Sequence, residues 1–366
     1  MMRLVLALAL IAGCKDAAKP ETHAAPPAPV EAPKPRSNDY CRGLDMYTPG
    51  SAPMSTAKPS SPTIPAHTFS VVARDPVTGD LGVAVQSHYF SVGSVVTWAE
   101  PGVGAVATQS FVEPAYGPKG LALMRQGTSA PDAMAKLLAE DKASDVRQLG
   151  FVDAQGNVAS HTGAKCIAYA ASHVGTNYAV QANIMANDKV VPAMAAAFES
   201  AKGDLADHLL ATLDAAQAAG GDLRGCQSAA LLIVSGNRTD TPWKEKKFDL
   251  RVEDSADPLR ELRRLVVLAR AYDQVNQGDL AVEKGDQKAA AEHYTAATKL
   301  HPGDPEISYW AGVALATNNN FDAAMPLLKV AFAADPSWIE LTRRLVPAGL
   351  IPQPVADRVI KEAGTR

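Results

Sequence analysis

A threonine, Thr68, opens the first alternating segment of the chain, TFSVVARD, which would set its hydroxyl at the tip of a strand. Two amides in VQANIM, Gln181 and Asn183, carry the N–H donors that acyl transfer requires for a developing oxyanion. Amides of this kind equally well satisfy loop backbone, so the residues alone leave both roles open. Ser87, His88 and Ser91 bring hydroxyl and imidazole to the end of the second strand, but no G-x-S-x-G surrounds them and a nucleophile elbow is not expected. Asp222 and Arg224 in GGDLRG read as an ion pair at a turn, and Arg74 with Asp75 as turn residues. Gly102 to Ala107 matches G-x-G-x-x-A but runs into TQSFVEP instead of opening a helix, which removes a dinucleotide site. No G-x-x-x-x-G-K-[ST] loop occurs, and none of the eight histidines sits in H-E-x-x-H, so neither a cofactor nor a metal is expected.

The elements that must position these groups follow from the hydrophobic period. TFSVVARD and LGVAVQS alternate around the turn PVTGD and read as a hairpin; GVGAVATQSF is a third strand. YGPKGLALMRQGTSAPDAMAKLLAEDK offers two helices, the second starting at Ser129 with proline in its first turn. VRQLGFVDAQGNVASHTG is another hairpin, turned by Ala154 to Asn157, and NYAVQANIM a further strand. VVPAMAAAFESAK and LADHLLATLDAAQAAGG are helices, the latter stopped by Gly220 and Gly221; QSAALLIVS and FDLRVED close the series as strands. Strands, helices, strands, helices, strands in that order predict α+β layers rather than a parallel sheet.

From Pro258 the pattern is helical and repeats. Gly278, Ala290, Tyr294, Ala297 and Pro302 recur as Gly312, Ala324, Leu328, Ala331 and Pro336; 312 minus 278 and 336 minus 302 both give 34. That period, with small residues where helices cross and proline at the end, resembles the tetratricopeptide repeat and implies a surface for a protein partner.

The N-terminus is of another kind. MMRLVLALALIAGC has one arginine, about ten apolar residues and a small-residue site, the pattern of a secretory signal over 1–13. It resembles a bacterial lipobox, which implies lipidation of Cys14 and export, with Lys15 after the cysteine pointing to the outer membrane, facing the periplasm. Residues 14–66 are dense in Pro, Ala, Ser and Thr and read as an extended tether. With Cys14 acylated, three cysteines are left in an oxidising compartment. Cys166 and Cys226 are the preferred disulfide because both lie in the folded part, with two separate buried thiols as the alternative. No C-x-x-C is present, which removes a zinc ribbon and a thioredoxin-like site.

The chain has 366 residues, 47% hydrophobic and 20% charged, with a formal net charge of −4. These totals allow about two domains and argue against nucleic acid as the main partner. After the first dozen residues no apolar run reaches the roughly 18 needed to span a bilayer.

The segments TFSVVARDPVTGDLGVAVQS, VGSVVTWAEPGVGAVATQSFVEPAYGPKGLALMRQG, RQLGFVDAQGNVASHTGAKC, YAVQANIM and GGDLRGCQSAALLIV together resemble the bacterial domain of unknown function 1028. The resemblance implies an N-terminal nucleophile (Ntn) hydrolase-like domain over 67–257, a four-layer α-β-β-α sandwich, followed by an all-α tetratricopeptide-like domain over 258–366. In Ntn hydrolases the nucleophile is the first residue of the first strand and its free α-amine is the general base. Thr68 takes the matching place. Here, however, His67 and the whole tether precede it, so its nitrogen is an amide unless the bond between 67 and 68 is cut. Two expectations follow. Either cleavage frees Thr68 for amide hydrolysis of a small-molecule or peptide substrate, with Gln181 and Asn183 as donors, or the sandwich is a non-catalytic scaffold whose repeats recruit a partner.

Overall fold

The computed structural model of the chain describes residues 65, 66 and 68–364. The signal segment, Cys14, the tether up to residue 64 and His67 lie outside the described residues. Eleven strands are described: β1 (Pro65–Ala66), β2 (Thr68–Arg74), β3 (Leu81–Ser87), β4 (Thr97–Glu100), β5 (Gly104–Phe111), β6 (Arg147–Asp153), β7 (Val158–Thr162), β8 (Ala171–Gly175), β9 (Tyr178–Ala182), β10 (Ser228–Val234) and β11 (Lys246–Val252). The α-helices are α1 (Gly93–Val96), α2 (Tyr116–Arg125), α3 (Ala130–Glu140), α4 (Val190–Ser200), α5 (Leu205–Ala218), α6 (Pro258–Glu283), α7 (Gln287–Leu300), α8 (Pro305–Thr317), α9 (Phe321–Ala334), α10 (Ser337–Leu345) and α11 (Gln353–Ala363).

Two antiparallel sheets form the sandwich. The first has the order β11-β10-β3-β2-β9-β8; the second runs β1-β5-β6-β7, with β4 also on β5. Between them lie Val72, Val83, Val85, Ala105, Ala107 and Val152. Helices α4 and α5 cover the outer face of the first sheet, where Met194, Leu209 and Leu213 meet Phe69 and Val71. Helices α2 and α3 cover the second, where Leu121, Met134 and Leu137 meet Val106 and Phe151. These are the four expected α-β-β-α layers. Strands β2 and β3 are buried on both faces because each sits between a helix layer and the opposite sheet.

Local chemistry fixes the turns and ends. The Asp75 carboxylate accepts from the N–H groups of Val77 (2.7 Å) and Thr78 (2.9 Å), closing the β2–β3 hairpin. Ser129 caps α3, Asp204 and Asp207 form a capping box on α5, and Gly220 (φ 124°) and Gly221 (φ 58°) follow the end of α5.

Helix α6 serves two cores. Leu259, Leu262 and Val266 of its first half pack into the sandwich beneath α5, whereas Ala271 and Val275 of its second half belong to the helical region. The boundary read at residue 258 therefore marks the start of a helix shared by both parts. Helices α6 and α7, then α8 and α9, form antiparallel hairpins, with α10 and α11 packed on the end. The 34-residue period has a packing cause. A Cβ on Gly278 would meet Tyr294 Cε1 at 2.5 Å, and one on Gly312 would meet Leu328 Cγ at 2.6 Å, so each repeat has a glycine on its first helix facing a large residue on its second.

Candidate functional site

Alternation along β2 turns Phe69, Val71 and Ala73 to the helices and Thr68, Ser70 and Val72 to the opposite sheet. The same parity sends Ser87, Gln109, Gln148 and Gln181 into the inter-sheet space, beyond its apolar part. At one end of the sandwich the valines thus give way to hydroxyls and amides. Thr68, Ser70, Ser87, Gln109, Gln148, Gln181 and Asn183 are each 0% exposed.

Hydrogen bonds join this layer into one network. Thr68 Oγ1 donates to Ser87 Oγ (3.3 Å), its strand partner on β3. Gln181 Nε2 donates to Ser70 Oγ (2.6 Å), and Ser70 in turn donates to Gln109 Oε1 (2.6 Å). Gln109 Nε2 and Asn183 Nδ2 both reach Gln148 Oε1, each at 2.8 Å. The Thr68 carbonyl oxygen accepts from the Asn183 backbone N–H (3.1 Å), Gln109 Nε2 (3.2 Å) and Asn183 Nδ2 (3.5 Å). Of the two amides singled out in the sequence, Asn183 touches Thr68, while Gln181 is held one residue further in, on Ser70. Gln181 has no room to spare: a Cβ on Gly150 of β6 would lie 2.7 Å from its Cδ and Nε2.

Two backbone features flank the layer. Ser110, directly after Gln109, has φ 70°, and Ile184, directly after Asn183, has φ 55°. The left-handed region disfavours both, most of all the β-branched isoleucine. Ser110 and Phe111 pair with Ala66 and Pro65 of β1. Residues read as the end of the tether therefore form a strand in the second sheet, and two positions later Thr68 begins a strand in the first.

Outside the layer, Asn183 leads into a small ladder in which Ile184 N–H donates to the Ile167 carbonyl (2.9 Å) and Leu223 N–H to the Ile184 carbonyl (3.0 Å). Ile167, Tyr169 and Leu223 on this ladder are 43%, 53% and 68% exposed, an apolar rim next to the Thr68 end of β2. Asp222 and Arg224 form the expected ion pair (2.6 Å); the Asp222 carboxylate is fully buried and also accepts from the His88 backbone N–H (3.3 Å). Arg74 Nε donates to the Ala154 carbonyl (2.8 Å), consistent with a turn role.

Ionisable groups cluster elsewhere. Arg147 Nε donates to Asp141 Oδ2 (2.8 Å), and Tyr116 Oη donates to the same oxygen (3.0 Å). Burial pushes the Asp141 carboxyl up, but the bonds from Arg147, the Ala143 N–H and Tyr116 outweigh it and leave it below the ordinary carboxylate range. Burial, then the bond to Asp141, raises the Tyr116 hydroxyl well above its usual value. A cleft of about 260 Å³ opens here, lined by Glu113, Tyr116, Lys119 and Asp141, and another of about 570 Å³ lies at Arg125, Arg238 and Trp243. Neither is lined by Thr68 or its amides, so these two clefts and the candidate nucleophile do not coincide.

The preferred disulfide is not formed. Cys166 and Cys226 are free thiols, each held by its own carbonyl: Cys166 Sγ donates to Arg147 O (3.3 Å) and Cys226 Sγ to Ala256 O (3.2 Å). Burial raises both thiols above the ordinary range.

Sequence reasoning missed Ser70, Gln109 and Gln148. A signal was there: Ala105, Ala107 and Gln109 share one face of β5, and Val152, Gly150 and Gln148 one face of β6, so a polar residue stands where the period demands an apolar one.

Two antiparallel sheets packed face to face, with a helix layer outside each and a helical repeat region following, define an α+β protein of the four-layer α-β-β-α sandwich class. Within that class the match is specific. The model of the family of unknown function DUF1028 matches residues 68–262, more than half of the chain, and the chain belongs to that family. A tetratricopeptide repeat model matches residues 275–337. A crystal structure of a Silicibacter pomeroyi protein, described as a member of the same family, is 28% identical with a TM-score of 0.51, covering 59% of this chain and 89% of that one. No curated protein matches the chain.

Proposed function

We propose that the sandwich is a latent amidohydrolase in which Thr68 is the nucleophile, activated by scission of the bond between residues 67 and 68. One observation carries this reading: the hydroxyl that heads β2 is turned into the inter-sheet layer, beside Ser87 and the amides of Gln109 and Asn183. Once the bond is open, the Thr68 α-amine has a reference pKa of about 7.7 to 8.0 and accepts the hydroxyl proton near neutral pH. Oγ1 then adds to the substrate carbonyl carbon, the C–N bond breaks, and the leaving amine takes the proton. Water hydrolyses the resulting ester, so the balance is amide plus water to carboxylic acid plus amine. Gln109 Nε2 and Asn183 Nδ2 are the side-chain donors at the reacting end, and Gln181 acts by holding Ser70.

The remaining proposals concern place and partner. Lipidation at Cys14 and export put the protein in the envelope, facing the periplasm; fatty-acid labelling lost in Cys14→Ser tests this. The helical repeats recruit a protein partner, and because α6 is shared, a truncation that tests them must fall after Glu283. For Thr68, intact mass and N-terminal sequencing decide: a terminus at Thr68 that disappears in Thr68→Ala supports the enzyme. A chain continuous from 67 to 68 in a preparation that hydrolyses amides refutes it. A continuous, inactive chain supports the second reading, a binding scaffold, which the complete burial of Thr68 favours.

A further inference from the structure

One edge of β5 is taken by β6 from Gly104 to Ser110. The other edge carries β4 against Gly104 to Ala107 and, beyond it, β1 against Ser110 and Phe111. On that edge, among the described residues, only β1 pairs with Ser110 and Phe111, and the chain then crosses to the opposite sheet at Thr68. The chain that leads to the Thr68 nitrogen thus includes, at residues 65 and 66, a short strand laid antiparallel on β5. A substrate's acyl group must reach the same Thr68 hydroxyl from the same side. The side chains of the layer offer it no charge: Thr68, Ser70, Ser87, Gln109, Gln148, Gln181 and Asn183 are all neutral. Recognition there falls to main-chain hydrogen bonds, which an exposed strand edge supplies and which select an extended polypeptide over a small charged amide.

We infer that the substrate is a peptide whose acyl side adds to β5 at Ser110–Phe111 as a short antiparallel strand, in the place residues 65 and 66 hold in the continuous chain. Residues 65 and 66 are thereby both the cover of the site and the template of its ligand. This rests on the proposed Thr68 chemistry. The test keeps the two apart by using the mature full chain, opened at residue 67, and three probes. The first is N-acetyl-Ile-Pro-Ala-His, the sequence of residues 64–67, ending in an α′,β′-epoxyketone. The second is the same peptide N-methylated at its alanine, and the third a single N-acetylated residue with the same epoxyketone. Thr68 Oγ1 adds to the ketone carbon and the α-amine opens the epoxide; nothing leaves, so the adduct mass is the sum of the two parts. Labelling by the peptide about tenfold or more faster than by the single residue, with that gain lost on N-methylation, is the expected result. Equal rates for all three probes overturn strand addition and leave the nucleophile standing. No adduct from any probe overturns the nucleophile and the inference with it.

Discussion

Replacing Gly150 by alanine tests whether the inter-sheet layer is packed as described. Gly150 lies outside the left-handed region, so the substitution asks only about space. The new Cβ would stand 2.7 Å from Gln181 Cδ and Nε2. Gln181 is fully buried, and its Nε2 donates to Ser70 Oγ at 2.6 Å, the first link of the chain that runs through Gln109 to Gln148. Overpacking costs about 1–3 kcal/mol, and a buried polar group left without its partner a further 1–3 kcal/mol or so. Gly150→Ala should therefore destabilise the sandwich by roughly 2–6 kcal/mol. Gln181→Ala alone removes the amide and leaves Ser70 without that donor, at a cost of about 2–4 kcal/mol. In the double variant the methyl enters space the amide has vacated. Its cost should be no greater than that of Gln181→Ala, giving a coupling of about 2 kcal/mol or more, against the ~0.3–0.5 kcal/mol of independent sites. To read the sandwich apart from the helical region, the measurement is amide exchange of β6 and β9 peptides under increasing urea. Additivity within about 0.5 kcal/mol would show that Gln181 does not lie against Gly150.

Gly278→Ala and Gly312→Ala should each cost about 1–3 kcal/mol by driving a methyl into Tyr294 and Leu328; exchange should rise in α7 and α9 and stay unchanged in β2 and β3, and a uniform rise would refute the local packing. Asp141→Asn should destabilise by roughly 2–3 kcal/mol near pH 7, short of the fully buried range because the carboxylate is partly exposed. The Asp141 pKa is lowered by folding, so its contribution is present above the unfolded value of about 3.9 and is lost as pH falls through the folded one. The difference between wild type and Asp141→Asn in urea midpoint should shrink below about pH 4, and a pH-independent difference would contradict the pairing with Arg147. Alkylation of the unfolded chain without reductant should leave adducts on both Cys166 and Cys226; a linked peptide pair would show that the thiols are not free.

The fold was legible wherever one face of an element is apolar. Both hairpins, β5, the four sandwich helices that cover the sheets and the 34-residue repeat could all be read, because each buries a periodic stripe. Three strands could not. Strand β8 is largely exposed, β4 is half-buried and four residues long, and β1 is two residues of Pro-rich chain recruited only by the open edge of β5. The polar layer was legible at Thr68, Gln181 and Asn183, which lie at or near strand ends. Gln109 and Gln148 were hidden because their meaning depends on pairing: the register opposes Gln109 to Gln148, which no local pattern reveals. The preferred disulfide failed for a related reason. Membership of one folded domain does not bring two thiols together; Cys166 lies after β7 and Cys226 before β10, each on a different carbonyl.

The polar layer itself calls for a cause. Val72, Val83, Val85 and Val152 fill the rest of the inter-sheet space, and apolar residues continuing that pattern at Ser70, Gln109 and Gln148 would build a sandwich at least as stable. A buried amide network at best offsets its own desolvation, and each link has to be satisfied for that to hold. Stability therefore gives no reason to place seven neutral polar side chains at one end of the inter-sheet space, whereas the proposed reaction at the Thr68 hydroxyl would. The same burial leaves Gln181 Oε1 without a hydrogen-bond partner and denies the Thr68 hydroxyl to water and substrate while the chain runs on through residue 67. The proposed scission would reconcile stability with chemistry by one covalent change, since opening that bond would turn an amide nitrogen into a base and free β1 to leave the β5 edge.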